Sequence, residues 1–292
     1  MEFIKALFAT KQNGTDNLSL TESELGQVAD FTASQSLFGL LGTNLPLQDV
    51  NRASATFLRN IGHAFKDKEG VGAKEVVAPK LEPITINWQK PKYQAVGFTA
   101  ADMARGLPNV APVKLERALK DFLTLHEETA FKALETKALT LTSQKTVKAD
   151  IDSLTPQNLW KLVADTALKV QNTKSEAEGV KRVAKDDIVI FIKEEHLLKL
   201  AQSGIIGNFA QQAYTEGAGA ITKLGGYTIV GCPYLASAEI LVATNFTAPS
   251  MIDVIASNID KLAPSNDYAL YFEAMDLYGI AYTSTIQTVA KS

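Results

Sequence analysis

Residues 113–139 read VKLERALKDFLTLHEETAFKALETKAL. Leu115, Leu119, Phe122, Leu125, Ala130, Ala133 and Leu134 recur at helical spacing and form one apolar stripe. Glu116 with Lys120, and Glu128 with Lys132, stand at i, i+4 with the acid first, the favourable order on a helix surface. At 1.5 Å per residue this helix is about 40 Å long, roughly twice the globular average. Such a length suits the spine of an elongated domain. Pro108 and Pro112 stand just upstream, so the helix is expected to begin at Val113.

On the N-terminal side of this helix, residues 70–106 have a different character. Ile84 to Trp88 alternates at period two and predicts a strand. Gln89 to Lys92 reads as a turn, and Tyr93 to Phe98 as the returning strand. The result is a long hairpin, basic near a tip that carries Trp88, with little apolar mass of its own. An isolated two-stranded hairpin is marginal in water, so it packs on its own domain or is completed by another subunit. Its lysines are Lys74, Lys80, Lys90 and Lys92, against Glu75 and Glu82. They can protect a solvated edge or dock on an acidic patch of a neighbour. Trp88 favours contact, since an exposed aromatic is more useful buried in a partner.

The first sixty residues predict short helices broken by loops. One spans Ser19 to Phe31, with Thr21 and Glu24 at capping-box spacing and Leu25, Val28 and Ala29 on one face. A second spans Leu47 to Ile61. These weak elements read as an arm lying on something else.

Beyond the long helix the pattern alternates. Thr155–Pro156 caps a helix through Val170. Ile188 to Ile192 is wholly apolar and predicts a central strand. Glu194 to Ser203 predicts a helix. Residues 217–226 read as loop or turn. Strands are expected at Tyr227–Val230, Ile240–Ala243, Tyr268–Ala274 and Leu277–Tyr282.

Composition and chemistry narrow the function classes. Of 292 residues, 46% are hydrophobic and 21% charged, as in an ordinary globular protein. The net charge of −3, with basic and acidic residues dispersed, gives no polyanion grip. Cys232 is the single cysteine; it excludes an intrachain disulfide and reads as a small buried hydrophobe. The opening run Met1 to Thr10 is short and carries Glu2, so it is not read as a signal peptide, and no run reaches membrane-span length. Folding in a reducing cytoplasm is expected. His63, His126 and His196 lack a second ligand at metal-site spacing. His126-Glu127-Glu128 lacks the second histidine of a zinc helix and reads as a solvated helix face. Gly217-x-Gly219 is neither preceded by a strand nor followed by an uninterrupted helix, so it reads as a loop rather than a dinucleotide site. No nucleophile elbow or phosphate loop occurs. No catalytic, cofactor-binding or metal-binding residue is assigned, and the chain is read as not an enzyme.

The order of arm, hairpin, long helix and mixed α/β region resembles the α+β Hong Kong 97-type fold of tailed-bacteriophage major capsid proteins. Ile188 to Leu200 is similar to that family's central strand and following helix. Lys223 to Leu235 is similar to its glycine-containing strand and turn, and Tyr268 to Tyr282 to its closing strands. The resemblance implies an N-terminal arm at 1–60 and an extended-loop hairpin at 61–107. It implies a peripheral domain with the spine helix at 108–150 and a mainly axial domain at 151–245. The last part, 246–292, ends the axial domain and returns strands to the peripheral one. Assembly contacts are expected at Lys74, Lys80, Trp88, Lys90 and Lys92, and the spine helix face at Leu115, Leu119 and Phe122.

The implied function is a self-assembling shell subunit that forms hexamers and pentamers and encloses double-stranded DNA as non-specific contents. It would stand in the virion, be assembled in the host cytoplasm and have no membrane partner. A portal is implied, and no long charged N-terminal helix suggests a built-in scaffold, so a separate scaffolding protein is expected. Nothing identifies the asparagine or catalytic acid that some relatives use for crosslinking. An encapsulin-type compartment shell is the alternative, followed by a soluble α/β enzyme.

Overall fold

The computed structural model describes residues 2–9, 19–62, 80–141, 146–203, 221–261 and 268–292. The first half contains α1 (Glu2–Ala9), α2 (Glu22–Ala33), β1 (Leu47–Val50), β2 (Ser54–Asn60), β3 (Leu81–Asn87), β4 (Lys92–Gly97), α3 (Ala100–Arg105) and α4 (Leu107–Thr140). The second half contains β5 (Thr146–Ala149), α5 (Pro156–Gln171), β6 (Ile188–Ile192), α6 (Glu194–Gln202), β7 (Ile221–Leu224) and β8 (Tyr227–Gly231). It closes with β9 (Ala238–Thr244), β10 (Ser250–Lys261), β11 (Tyr268–Tyr278) and β12 (Gln287–Lys291). The chain gathers into two units, each made of discontinuous segments.

Unit 1 comprises residues 1–39, 87–129 and 250–278. Its sheet has the order β10–β11–β4, antiparallel throughout. Leu270, Phe272 and Ala274 of β11 face a core shared with Leu115, Leu119 and Phe122 of α4. The rings of Phe122 and Phe272 meet edge to face at 6.2 Å. In β10 the buried apolar residues change parity, from Ile252 and Val254 to Ile259. A strand has period two, so the switch needs one extra residue. The ladder supplies it: Val254 pairs with Ala274 and Ala256 with Glu273, leaving Ile255 as a bulge. Ile255 is accordingly exposed.

The expected capping box is present in α2. The Thr21 side chain accepts from the Glu24 amide, and the Thr21 amide donates to Glu24 Oε2 at 2.7 Å. Val28 and Ala29 are buried in the unit 1 core, with Leu25 packed beside them. The chain enters α2 with the Leu20 amide bonded to the Ser257 carbonyl of β10. Helices α1 and α2 therefore pack into the unit 1 core, through Ile4, Phe8, Val28 and Ala29.

Unit 2 comprises residues 40–86, 130–249 and 279–292. Its six-stranded sheet runs β5–β12–β9–β6–β8–β7. The β12–β5 and β6–β8 pairs are parallel, and the others antiparallel. Every residue of β6 and β9 is buried, as the wholly apolar run at 188–192 predicts for a central strand. Phe131 of α4 meets Phe191 of β6 at 5.0 Å. Helix α5 begins as expected, with Pro156 in its first turn and Thr155 accepting from the Asn158 amide. Cys232 is buried.

Several expectations are corrected. Residues 47–61 are strands β1 and β2, not a helix: the apolar residues of Ser54–Asn60 alternate, with Ala55 and Phe57 buried. Helix α4 starts at Leu107 and contains Pro112. Pro108 lies in the first turn, where the missing N–H has no intrahelical partner to lose, so the two prolines remove a single helical bond. Leu125 and Ala133 are exposed on it, while Phe131 and Ala138 are buried. Ile221–Leu224 is a strand. It joins β8 through Gly225–Gly226 at φ +60° and +89°, the two positive values that a tight hairpin turn needs. Residues 217–220 lie outside the described residues. Residues 268–278 form one strand, which ends before Gly279.

Deleting Ile255 would put the two halves of β10 out of phase and turn one apolar set to solvent. We expect a loss of at least about 3 kcal/mol in chemical unfolding, against under about 0.5 kcal/mol for Ile255→Ser.

Candidate assembly surface and its buried anchors

The third sheet is small and sparsely buried, with the order β1–β2–β3. Strands β2 and β3 touch at Thr56 with Thr85, Arg59 with Glu82 and Ile61 with Lys80. These pairs step in opposite directions along the two strands, which is an antiparallel register. The hairpin of this region is therefore β2–β3, whose connecting residues 63–79 lie outside the described residues. The expected hairpin of 84–88 with 93–98 does not form, because β4 pairs with β11 instead. The period of two marks both strands but leaves their partners open, since it says nothing about which strand lies alongside.

The expected contact residues separate accordingly. Lys74 lies outside the described residues, as does His63. Lys80 is at the edge of the hairpin, and its carbonyl accepts from the Ile61 amide. Trp88 is half-buried and Lys90 exposed, both in the link from β3 to β4 rather than at a hairpin tip. That link is tied to unit 1: the Gln89 amide donates to the Asp276 carbonyl at 2.8 Å, and Lys92 Nζ lies 3.7 Å from Asp276 Oδ1. Leu115, Leu119 and Phe122 are buried core residues of unit 1. Sequence reasoning missed the exposed apolar residues Leu47, Val50 and Leu81 on β1 and β3. In β3 the outward set is Leu81, Pro83, Thr85 and Asn87. A thin sheet with such an outer face presents backbone and apolar surface that a further protein surface can cover.

Each unit also contains buried polar groups that anchor its own loops. His126 and Asp276 are wholly buried and bonded through Nδ1 and Oδ2 at 2.9 Å. The rings of Phe38 and Tyr278 stand edge-on to the imidazole. Glu127 accepts from Ser36 Oγ at 2.5 Å and from the Phe38 amide at 3.0 Å. Residues 126–127 are thus part of the packed interior, not a solvated helix face. Burial pushes the Glu127 carboxyl above its ordinary range, against the opposing pull of Ser36, His126 and the loop amides. Glu135, in unit 2, accepts from the amides of Ala236, Ser237 and Ala238. No local spacing reveals these partners, which are distant in sequence.

Among the described residues, one histidine–carboxylate group comes within metal-binding distance: Glu195, His196 and Glu239. Two of its three donor groups, His196 and Glu239, are already engaged. Lys193 Nζ and His196 Nε2 each hold one Glu239 oxygen at 2.8 Å. An ammonium inside the ligand set opposes a cation, so the arrangement is an ion-pair network that ties α6 to β9. Two clefts of about 220 Å3 each lie in unit 1. The titratable side chains lining them are Glu116 and Lys120 in one, and Lys92, Tyr93 and Asp121 in the other.

No protein-family model and no curated protein matches the sequence. Solved structures do match in fold. A chain of the capsid of cyanophage P-SCSP1u is 14% identical, with a TM-score of 0.60 over 88% of this chain and 88% of that one. A chain of the satellite phage P4 procapsid, whose structure includes the size determination (Sid) protein, is 11% identical; the TM-score is 0.53 over 98% and 95%. A chain of the virus-like particle from Pyrococcus furiosus is 13% identical, with a TM-score of 0.51 over 91% and 98%. The chain therefore has the α+β Hong Kong 97-type fold of phage capsid proteins.

The raised Glu127 carboxyl gives a pH test. Its folded value lies above the ordinary 4.5, so the stability that protonation contributes is fully present below about pH 4.5 and is lost as pH rises through the folded value. Glu127→Gln keeps an acceptor for Ser36 and Phe38 without the charge. In urea unfolding from pH 4.5 to neutrality, the variant should gain on the native protein as pH rises; a constant difference would contradict the assignment.

Proposed function

We propose that this chain is the structural subunit of an icosahedral phage head, without catalytic activity, that self-assembles into hexamers and pentamers around the genome. The observation that carries this reading is the capsid fold over 98% of the chain in one match and 88% in another. The sparsely buried β2–β3 hairpin supports it, because a shell subunit leaves strands for neighbours to complete. Heterologous contacts that close produce rings, here of five and six copies. Unit 1, with the first part of α4 and the long β10–β11 ladder, corresponds to the peripheral domain. Unit 2, with the six-stranded sheet, corresponds to the axial domain. The hairpin β2–β3 takes the role of the extended loop, in place of the segment around Trp88. Of the expected contact residues, Lys80 borders this hairpin, Trp88 and Lys90 belong to the β3–β4 link, Lys92 opens β4, and Lys74 lies outside the described residues.

The partners that follow are other copies of the chain, a portal, a separate scaffolding protein and packaged double-stranded DNA. The net charge of −3 suits a container wall, since dense basic contacts would hold the genome and oppose its release. The location is the virion, after assembly in the host cytoplasm. A compartment shell loaded with enzyme is the second reading, favoured by the match to the Pyrococcus furiosus particle. The contents of native particles distinguish the two: nucleic acid for a head, a protein cargo for a compartment.

Replacing residues 62–79 by Asn-Gly closes β2 and β3 with a short turn. Negative-stain images of the native protein should show closed shells. The variant should stay folded by circular dichroism and form none; normal shells from it would remove the hairpin from assembly.

A further inference from the structure

The β2–β3 hairpin buries little of itself, yet three contacts seat its base on the rest of unit 2. The first is Arg59, whose side chain is 14% exposed. Its Nε donates to Glu82 Oε2 at 3.0 Å, and its Nη2 contacts the same oxygen. Its Nη1 donates to the Ala281 carbonyl at 3.0 Å and lies 3.8 Å from Glu178 Oε1. The guanidinium also stands over the Tyr282 ring, 5.6 Å from its centre. One side chain thus joins β2, β3, the loop at 178 and the loop at 281–282. The second contact is Gly179, at φ +71°. A Cβ there would lie 2.4 Å from Ile61 Cα and 2.8 Å from the Asn60 carbonyl oxygen, so the end of β2 rests directly on the glycine. The third is Gly279, where a Cβ would lie 2.5 Å from Ile86 Cδ1 of β3.

The loop side of the seat is held independently of Arg59. Glu178 accepts from the Thr283 amide at 2.9 Å, Thr283 Oγ1 at 2.7 Å and the Ser284 amide at 2.9 Å. Burial opposes the Glu178 charge, but the bonds from Ser284 and Thr283 outweigh it and hold the carboxyl below its ordinary range. Glu82 is 44% exposed and stays solvated without its partner. Removing the guanidinium therefore frees the hairpin without stranding a buried charge.

We propose that Arg59 is a positioning residue that fixes the base of the β2–β3 hairpin on the rest of unit 2 and so sets the geometry with which copies of this chain join. The inference rests on the shell reading above. Rigidity at the base of a sparsely buried element is what a uniform shell needs. An element free to pivot presents its outer face at many angles, and rings that do not close with one rotation give open or irregular products. A lysine cannot replace the arginine, since one ammonium cannot span a carboxylate on each side and a carbonyl between them.

The test uses Arg59→Met, which keeps the apolar stem over Tyr282, with Gly179→Ala as an independent lesion of the same seat and Arg59→Lys as the conservative change. Two quantities are read: amide hydrogen exchange by segment, and the size distribution of assembled particles. Exchange in 54–60 and 81–86 should quicken by about tenfold or more in Arg59→Met and Gly179→Ala, with β6 and β9 unchanged. Particles should be lost or become heterogeneous in diameter, with Arg59→Lys intermediate. Uniform particles of native diameter from Arg59→Met would overturn the proposal, whatever the exchange. Lost particles with unchanged exchange would overturn it too, placing Arg59 at a contact between copies. Should the native protein form no particles under any condition, the shell reading fails, and exchange alone then decides whether Arg59 holds the hairpin.

Discussion

The fold depends on buried carboxylates that collect the backbone amides of loops. A loop over a packed core has donors that water no longer reaches, and each unpaired one is expensive. Glu127 gathers the turn at 36–38 in unit 1, and Glu135 gathers 236–238 in unit 2. Both stand on α4. Glu178 does the same for 283–284. Several charge-assisted bonds to one acceptor exceed what neutral pairs would contribute, and they fix where each loop lies. This is why a helix with an apolar stripe carries acids on its buried side.

The same fact shows what was legible in the sequence. The period of 3.6 at 113–139, the wholly apolar 188–192 and the caps at Thr21 and Thr155 are local signals, and each gave the correct element. Burial of Glu127 and Glu135 is not a local property. A glutamate reads as solvent-facing until its partner is known, and these partners lie about a hundred positions away in sequence. The apolar period alone therefore runs through Leu125 and Ala133, which are exposed, and past His126 and Glu127, which are not.

Strand pairing failed for a related reason. Residues 84–88 and 93–98 both carry the period of a strand and are joined by turn-like residues, so a hairpin was the local answer. The ladder chose otherwise, because β11 offers β4 six paired residues beside the unit 1 core, with Tyr93 stacked on Tyr271 at 5.9 Å. Strand β3 is left to β2, across the chain of residues 62–79. Residues 47–61 satisfy a helical period as well, because Phe57, Leu58 and Ile61 also fit helical spacing. Short apolar runs satisfy both periods, and only the partner strand decides between them.

The bulge at Ile255 and the seat at Arg59 place strain and rigidity in complementary ways. In β10 one surplus residue lets two apolar sets face one core, so unit 1 gains burial from a strand that is out of phase with itself. The β2–β3 hairpin has no comparable core: its outward residues Leu81, Pro83, Thr85 and Asn87 meet solvent. Hydrophobic burial is non-directional and cannot orient such an element. Direction must come from groups with fixed geometry, and a planar guanidinium with acceptors on three sides supplies it. A glycine under Ile61 sharpens the same seat by letting backbone meet backbone. The chain thus uses apolar packing where it needs stability, and arginine and glycine where an exposed element must hold one angle.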